Sequence, residues 1–422
     1  MSKYSTKALH RVTLLIVLAA TLIFLVSFIN PIFSQQQPSN IKVFEQVFLT
    51  VKENFYDPDF NGVNWESMKD KYRSKAAASV SKQELANVIN QMLSELKTSH
   101  TQYYIPQQTQ YYQLLAIFAA ISSELRQQLK QWFPTETIEY SGIGIFTKEV
   151  EGKTFVSGVL DGFPAEAAGI LVGDRIISVD GKPFEAVESF RNKAGQTVSL
   201  LIEREAESNS RKSLKVVPKM INAGIMFSQA MDSSIHVYER ENRKIGYVHI
   251  WSYAGDQYQQ LLEEELFYGR LASADALVLD LRGGWGGAPL TALNIYTAKP
   301  LSITSIPRNG RKHYSYAIWN KPVVMLVNEG SRSSKEILAF GFQQYKIGPV
   351  VGSPTPGAVV AGRAFLMSDG SLLYVAVANV YVNDQYRLEG VGVKPDLEVP
   401  FTLEYAQGKD PQKERAIEEA LK

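Results

Sequence analysis

The sequence predicts a multidomain α+β protein: a small helical domain first, then a β-rich module, then an α/β domain. Three observations carry this. Val43, Phe44, Val47, Phe48 and Val51 recur at helical spacing. From about Ser141 to Pro218, short runs such as Phe155-Val156-Ser157 and Arg175-Ile176-Ile177-Ser178-Val179 alternate with glycine turns, which reads as strands. Further on, Ala276–Leu279 and Val323–Val327 are unbroken apolar runs separated by helical patterns, as a parallel sheet buried on both faces requires. At 422 residues the chain is also too long for one ordinary core.

Composition narrows the function classes. Hydrophobic residues make up 45% and charged residues 21%, the balance of a folded protein rather than a disordered one. The net charge is +1 and no Lys/Arg block follows the first dozen residues, so nucleic acid is excluded as a partner. Cysteine is absent, which rules out disulfides, thiol chemistry and Cys-ligated metals, and suits an exported protein.

Lys3, Lys7, His10 and Arg11 precede an uncharged apolar run, Val12–Ile29, of spanning length. A cleaved signal peptide has a shorter apolar region and a small-x-small site, whereas Asn30-Pro31-Ile32-Phe33-Ser34 is a weak site. The expectation is an uncleaved membrane anchor with everything after Gln35 outside the cytoplasm, cleavage near that residue being the alternative.

After the polar linker Gln35–Asn40, Ser81-Lys82-Gln83-Glu84 reads as a capping box ahead of a helix whose face is Leu85, Val88, Ile89, Met92, Leu93 and Leu96. This helix runs into Ser99-His100. An imidazole just past a helix C-terminus has its protonated form favoured by the helix dipole, which suits a general base, although such a histidine also serves as a plain cap. Tyr111–Trp132 reads as a further helix with an apolar stripe, either core or the wall of a site.

In the middle, Ser141-Gly142-Ile143-Gly144-Ile145 and Gly173-Asp174-Arg175-Ile176-Ile177-Ser178-Val179-Asp180-Gly181 resemble a PDZ domain. The resemblance implies that the loop at Gly142, Ile143 and Gly144 presents backbone N–H groups to a terminal carboxylate, with the peptide adding as a strand beside Ile145. The bland alternative is that these glycines only make turns.

The stretch Val323–Ile337 organises the C-terminal half. A buried strand ends in Asn328-Glu329-Gly330, serines follow at 331, 333 and 334, and a helix is expected from about Glu336 to Tyr345. A serine between a buried strand and a helix is sharply oriented, and the next N–H groups face any oxyanion formed on its substrate. Capping the helix is its bland role. Asp280-Leu281-Arg282 opens into Gly283-Gly284-Trp285-Gly286-Gly287, but the phosphate-loop and dinucleotide spacings fail, leaving an oxyanion-loop use.

Together, Asp280-Leu281-Arg282 with Gly286-Gly287, Ser333-x-x-Glu336-Ile337, Val351-Gly352-x-x-Thr355-x-Gly357 and Gly392-Val393-x-Pro395-Asp396 resemble an S41-family serine peptidase of the C-terminal-processing and tricorn group. The processing branch places its lysine base directly after the glycine matching Gly357, where this chain has Ala358, so a serine–lysine dyad is absent by that alignment. The tricorn branch implies another set: Ser333 as nucleophile, His100 as base, Ser99 and Glu389 as its relay, and the N–H groups of Ser334 and Gly286 or Gly287 as the oxyanion hole. Family spacing selects Ser333 over Ser331 and Ser334. Lys335 is expected to face away from Ser333 into solvent, His249 to be satisfied within the sheet, and Asp280 and Arg282 to hold their loop.

The residues read as an anchor or signal segment at 1–34, a helical domain at 35–140 and a charged tail of helical pattern, expected to be solvated, at 404–422; the resemblance implies a PDZ domain at 141–218 and an α/β catalytic domain of ClpP/crotonase-like fold at 219–403. The expected function is an extracytoplasmic serine endopeptidase acting on unfolded polypeptides captured by their free C-termini. No metal or organic cofactor is implied, and the sequence leaves the oligomer open. The alternative is a catalytically inactive relative that binds peptides or hydrophobic ligands.

Overall fold

The computed structural model describes residues 39–422, apart from 207–209, 290, 298–301, 306–307, 309–312 and 317. The expected anchor lies outside the described residues. Among those described, no helix is long and apolar enough to cross a membrane.

Helices Asn40–Asn54, Trp65–Ala78 and Lys82–Ser94 form the first layer. Ser81 Oγ accepts from the Glu84 N–H at 3.1 Å, while Glu84 reaches the N–H of Val80, one residue before the position a capping box uses. The apolar stripes meet in one core: Val43, Phe44 and Val47 from the first helix, Leu85, Ile89 and Met92 from the third. That core continues into Tyr103, Leu373 and Val375. The reason is a three-stranded antiparallel sheet in the order Gln102–Tyr104, Leu372–Asn379, Val360–Leu366. Two of its strands come from late in the chain, so the N-terminal helices and the C-terminal half are welded through shared apolar packing.

The Tyr111–Trp132 run folds as two helices, Thr109–Ile121 and Ser123–Leu129. Ser122 ends the first and caps the second, its Oγ accepting from the Leu125 N–H at 3.2 Å. The longer helix serves both expected purposes: Tyr111 and Leu115 are core, while Ile117, Phe118 and Ile121 line a cavity.

Next comes an antiparallel sheet whose strands run in the order Ile145–Val150, Lys153–Val159, Arg175–Val179, Val198–Glu203, Arg211–Val216. Val156, Ile176, Val179, Phe190 and Leu200 fill it. Asp174 of the Gly-Asp signature is wholly buried against Arg204, 2.7 Å away. The strand Ile145–Val150 lies at the sheet edge, so one side of its backbone is unpaired within the sheet.

The remaining layer is the α/β unit expected from the apolar runs. Its six strands are ordered His236–Arg240, Arg243–His249, Ala276–Asp280, Val323–Val327, Val350–Gly352, Leu397–Glu398. The first pair is antiparallel and every later pair parallel. Val278 stands opposite Val324, both buried, which explains the absence of polar alternation in these strands.

The end of the chain corrects the expectation of a solvated tail. Residues Pro411–Ala420 form a helix that buries Ala416, Ile417 and Ala420 against Val278, Val324 and Leu326. Its charges mask a narrow apolar stripe, and Asp410 before it bonds to the Arg282 guanidinium at 2.7 Å through both oxygens.

Candidate active site

The strand Val323–Val327 delivers Ser333 to the N-cap of the helix Ser334–Gln344 with φ +60 and ψ −131. A positive φ is costly for a serine and marks a turn held by its surroundings. Three contacts hold it. The Ser333 N–H donates to the Ala358 carbonyl at 2.9 Å and to Glu336 Oε1 at 3.3 Å, and Gly286 packs so closely that a Cβ there would sit 2.6 Å from Ser333 Cβ. Gly286 is therefore obligatory for closing the glycine loop on the nucleophile turn.

The neighbouring serines are committed elsewhere. Ser331 is buried, donating to the Leu281 carbonyl at 2.9 Å and accepting from the Asn328 N–H. Ser334 Oγ accepts from the Gly287 N–H at 3.1 Å. Gly287 thus points its amide at a hydroxyl, whereas the N–H groups of Gly286 and Ser334 have no acceptor among the described residues. Those two are the pair free to meet an oxyanion.

His100 stands in the turn between the helix Lys82–Ser94 and the strand Gln102–Tyr104, itself at φ +54. Its Nδ1 lies 2.9 Å from Ser99 Oγ, and Ser99 Oγ donates to Glu389 Oε2 at 2.9 Å. Because the serine proton goes to the carboxylate, the serine oxygen accepts from Nδ1–H. That tautomer leaves the Nε2 lone pair free for a proton. Glu389 also accepts from the N–H groups of Ser99 (2.8 Å) and Val359 (2.6 Å). Burial pushes the His100 imidazole down from its ordinary 6.5 to about 4, with Arg332 adding to the fall and Glu389 opposing it. This reverses the expectation that a helix dipole would favour the protonated form: Leu96 to Ser99 carry the histidine off the helix end and into an enclosed site.

Ser333 and His100 line one cavity of about 580 Å³, together with Tyr104, Phe118, Gly286 and Arg332. Ala358 lines it too, so the position where the resemblance led one to look for a lysine presents a methyl group to the cavity.

Two carboxylates frame the site from behind. Glu336 is fully buried and accepts from Thr355 Oγ1 (2.6 Å), Gly357 N–H (2.7 Å) and Ala358 N–H (2.7 Å). Burial raises its pKa and these bonds oppose the rise. The segment 355–359 therefore touches Glu336 behind the nucleophile and, through Val359, Glu389 behind the histidine. The sequence reading used Glu336 only as a spacing marker; the signal for its role is the Thr-x-Gly run lying opposite it.

Lys335 requires a correction. It does not face solvent: it is fully buried, and its Nζ donates to the carbonyls of Trp251 (3.1 Å) and Gly283 (2.9 Å). Burial lowers its pKa to about 7. Trp251 also receives the Trp285 N–H at 2.8 Å, so this lysine ties the helix to the glycine loop. His249 is satisfied in the sheet, its Nε2 2.9 Å from the Arg282 carbonyl. Asp280 and Arg282 pair with each other beneath the loop, where the Tyr247 hydroxyl adds a 2.8 Å bond to Asp280.

In the β-module, Ile143 is buried and its carbonyl accepts from the Ala165 N–H at 2.9 Å. Gly142 ends a strand paired with Lys219–Asn222. Gly144 has φ +79, and a Cβ there would strike Phe163 at 2.4 Å. Phe146, next to Ile145 on the edge strand, stacks on Trp251 with ring centroids 5.2 Å apart.

By architecture this is a peptidase-fold protein with a PDZ module. Residues 244–399 match the peptidase family S41 model, residues 155–204 a PDZ domain and residues 41–94 the tricorn protease C1 domain. The chain is 25% identical over 380 residues to a carboxyl-terminal-processing protease of Synechocystis sp., covering 84% of this chain and 80% of that one. It is 29% identical over 286 residues to a carboxy-terminal processing protease of Bacillus subtilis, covering 64% and 59% respectively. The crystal structure of the tricorn protease aligns with a TM-score of 0.54 at 19% identity, over 92% of this chain and 37% of that one. The chain is thus similar to the C-terminal-processing and tricorn proteases, and it shares the tricorn protease fold over the aligned region.

Proposed function

We propose that the protein is a serine endopeptidase working through a Ser333–His100 pair with Ser99 and Glu389 as relay. The observation that carries this is the continuous hydrogen-bond path from Glu389 through Ser99 Oγ to His100 Nδ1, with Ser333 in the same cavity. Ser333 Oγ attacks the scissile carbonyl as His100 Nε2 takes its proton. The oxyanion is received by the N–H groups of Gly286 and Ser334, and the developing imidazolium is stabilised through Ser99 by Glu389. His100 then protonates the leaving amine, and water repeats the sequence on the acyl-enzyme. The edge strand beginning at Ile145 would receive unfolded polypeptide by its C-terminus.

The test is turnover of an unfolded protein by the full chain. Ser333→Ala and His100→Ala should each cost on the order of 10³-fold or more, and the double variant little beyond either. Ser99→Ala should cost on the order of 10²-fold. Full activity in His100→Ala overturns the relay, and an inert wild type favours a ligand-binding relative instead. The Val12–Ile29 run motivates a location outside the cytoplasm on a membrane. A high-salt-resistant membrane pellet supports this, and a soluble product beginning near Gln35 replaces it with a cleaved leader.

A further inference from the structure

Arg332 precedes the nucleophile and lines the same cavity. Its guanidinium lies 5.3 Å from the Trp285 ring centroid, a stacked position that fixes its direction. Its Nε is buried and has no hydrogen-bond partner among the described residues. Arg282 shows how this fold satisfies an arginine with a structural role: it has both Asp280 and Asp410. The described ion pairs give Arg332 no such carboxylate. The other charged residue lining the cavity, Glu329, is directed to Lys148 at 3.5 Å. Part of the wall is apolar, with Leu114, Ile117, Phe118 and Val360 on it, while Thr98, Thr101, Gln102 and Gln257 line the cavity with neutral polar groups. A buried N–H without an acceptor is destabilising, and a guanidinium is best matched by a carboxylate held through two parallel bonds.

We propose that Arg332 is a specificity residue that pairs with a carboxylate of the substrate next to the scissile bond, while the apolar wall takes a neighbouring hydrophobic side chain. The reach of an arginine side chain from the residue beside the nucleophile places that carboxylate within about two residues of the cleaved peptide. Two sources fit the same chemistry, an Asp or Glu side chain and a chain's own C-terminal carboxylate. The proposal rests on the serine-peptidase reading, which sets the direction of the substrate. The positive charge of Arg332 is also felt at His100, Tyr104 and Tyr374, which agrees with a cation pointing into the site rather than out of it.

The experiment uses the full chain and short apolar reporter peptides in matched pairs: Glu against Gln beside the scissile bond, and C-terminal acid against C-terminal amide. In the wild type the carboxylate member of at least one pair should be preferred in kcat/KM by about 10-fold or more. Arg332→Gln should collapse that ratio towards one, and Arg332→Glu should reverse it in favour of the neutral member. Collapse confined to the acid/amide pair assigns the terminal carboxylate, and collapse confined to the Glu/Gln pair assigns the side chain. Any acid preference of the PDZ groove persists in both Arg332 variants and is separated in that way. Ratios unchanged by either variant overturn the proposal. If the wild type cleaves none of the peptides, the peptidase reading fails by itself. The Arg332 assignment is then decided by Kd ratios for the same pairs on Ser333→Ala and on Ser333→Ala with Arg332→Gln.

Discussion

Glu389 and Ser99 stand 290 positions apart in the chain and are joined twice, by the Ser99 N–H at 2.8 Å and by its Oγ at 2.9 Å. The double bond fixes the serine rotamer, and the serine in turn fixes the tautomer of His100. Orientation of His100 is therefore a property of the interface between the helical layer and the C-terminal half, not of a single loop.

The first prediction concerns pH. His100 must be neutral to act as base, and burial holds its pKa at about 4 rather than 6.5. The acid limb of kcat/KM should therefore fall through the region of pH 4 to 5, not near 6.5. The same depression means that the unfolded chain binds more protons than the folded one between these values, so stability drops as pH falls from 6.5 to 4. A limb centred near 6.5 in the profile of the free enzyme would show that the imidazole is hydrated in the working state.

A second prediction concerns Lys335. Replacing it by alanine removes the donor shared by Trp251 and Gly283 and leaves a cavity, at a cost of about 2–4 kcal/mol in urea unfolding. Activity should fall with it, because the glycine loop loses its tie. The folded pKa of about 7 lies below the unfolded 10.5, so the unfolded state binds more protons between them and stability rises with pH over that window. Lys335→Met should flatten this rise. An unchanged slope in the methionine variant would sink the assignment.

The third prediction concerns the C-terminal helix. Deleting residues from 405 onward uncovers Val324 and Leu326 and strips Arg282 of Asp410. The expected loss is at least about 1.5–3 kcal/mol, the scale of uncovering one buried aliphatic side chain, since Arg282 keeps its pair with Asp280. Asp410→Asn should give a smaller loss. A truncated chain melting at the wild-type temperature would restore the view of this segment as a tail.

The fourth concerns the β-module. With Ser333→Ala to prevent turnover, a long unfolded peptide with a free C-terminus should bind the full chain more tightly than its amide. Gly144→Val should weaken it, since the new side chain strikes Phe163. Equal affinity for acid and amide would remove terminal capture from the model.

Periodicity made the architecture legible, since the parallel strands are apolar throughout and the helices carry plain stripes. The Ser333 turn was legible as a turn between an apolar strand and a helix, but a plain capping serine fits that pattern too, and the spacing to Glu336 is what singled it out. The environment of charged groups was not. Lys335 and the 404–422 segment look solvated in one dimension because the eye reads charge as exposure. Burial of Lys335 follows from two carbonyls brought by distant loops, and that of the last helix from Ala416, Ile417 and Ala420, whose small stripe is diluted by glutamates. Arg332 stands out in sequence only as a large cation flanked by serines at 331, 333 and 334.

The shared core of the N-terminal helices with strands Val360–Leu366 and Leu372–Asn379 has a consequence for biosynthesis. A ribosome extends the chain from its N-terminus, so Ser99 and His100 emerge long before the strands that seat them, and Glu389 emerges later still. Contacts this distant in sequence form late. On the proposed reading, a nascent chain ending before Glu389 holds Ser333 but lacks the carboxylate that orients His100 through Ser99, and it should be inert towards an unfolded substrate.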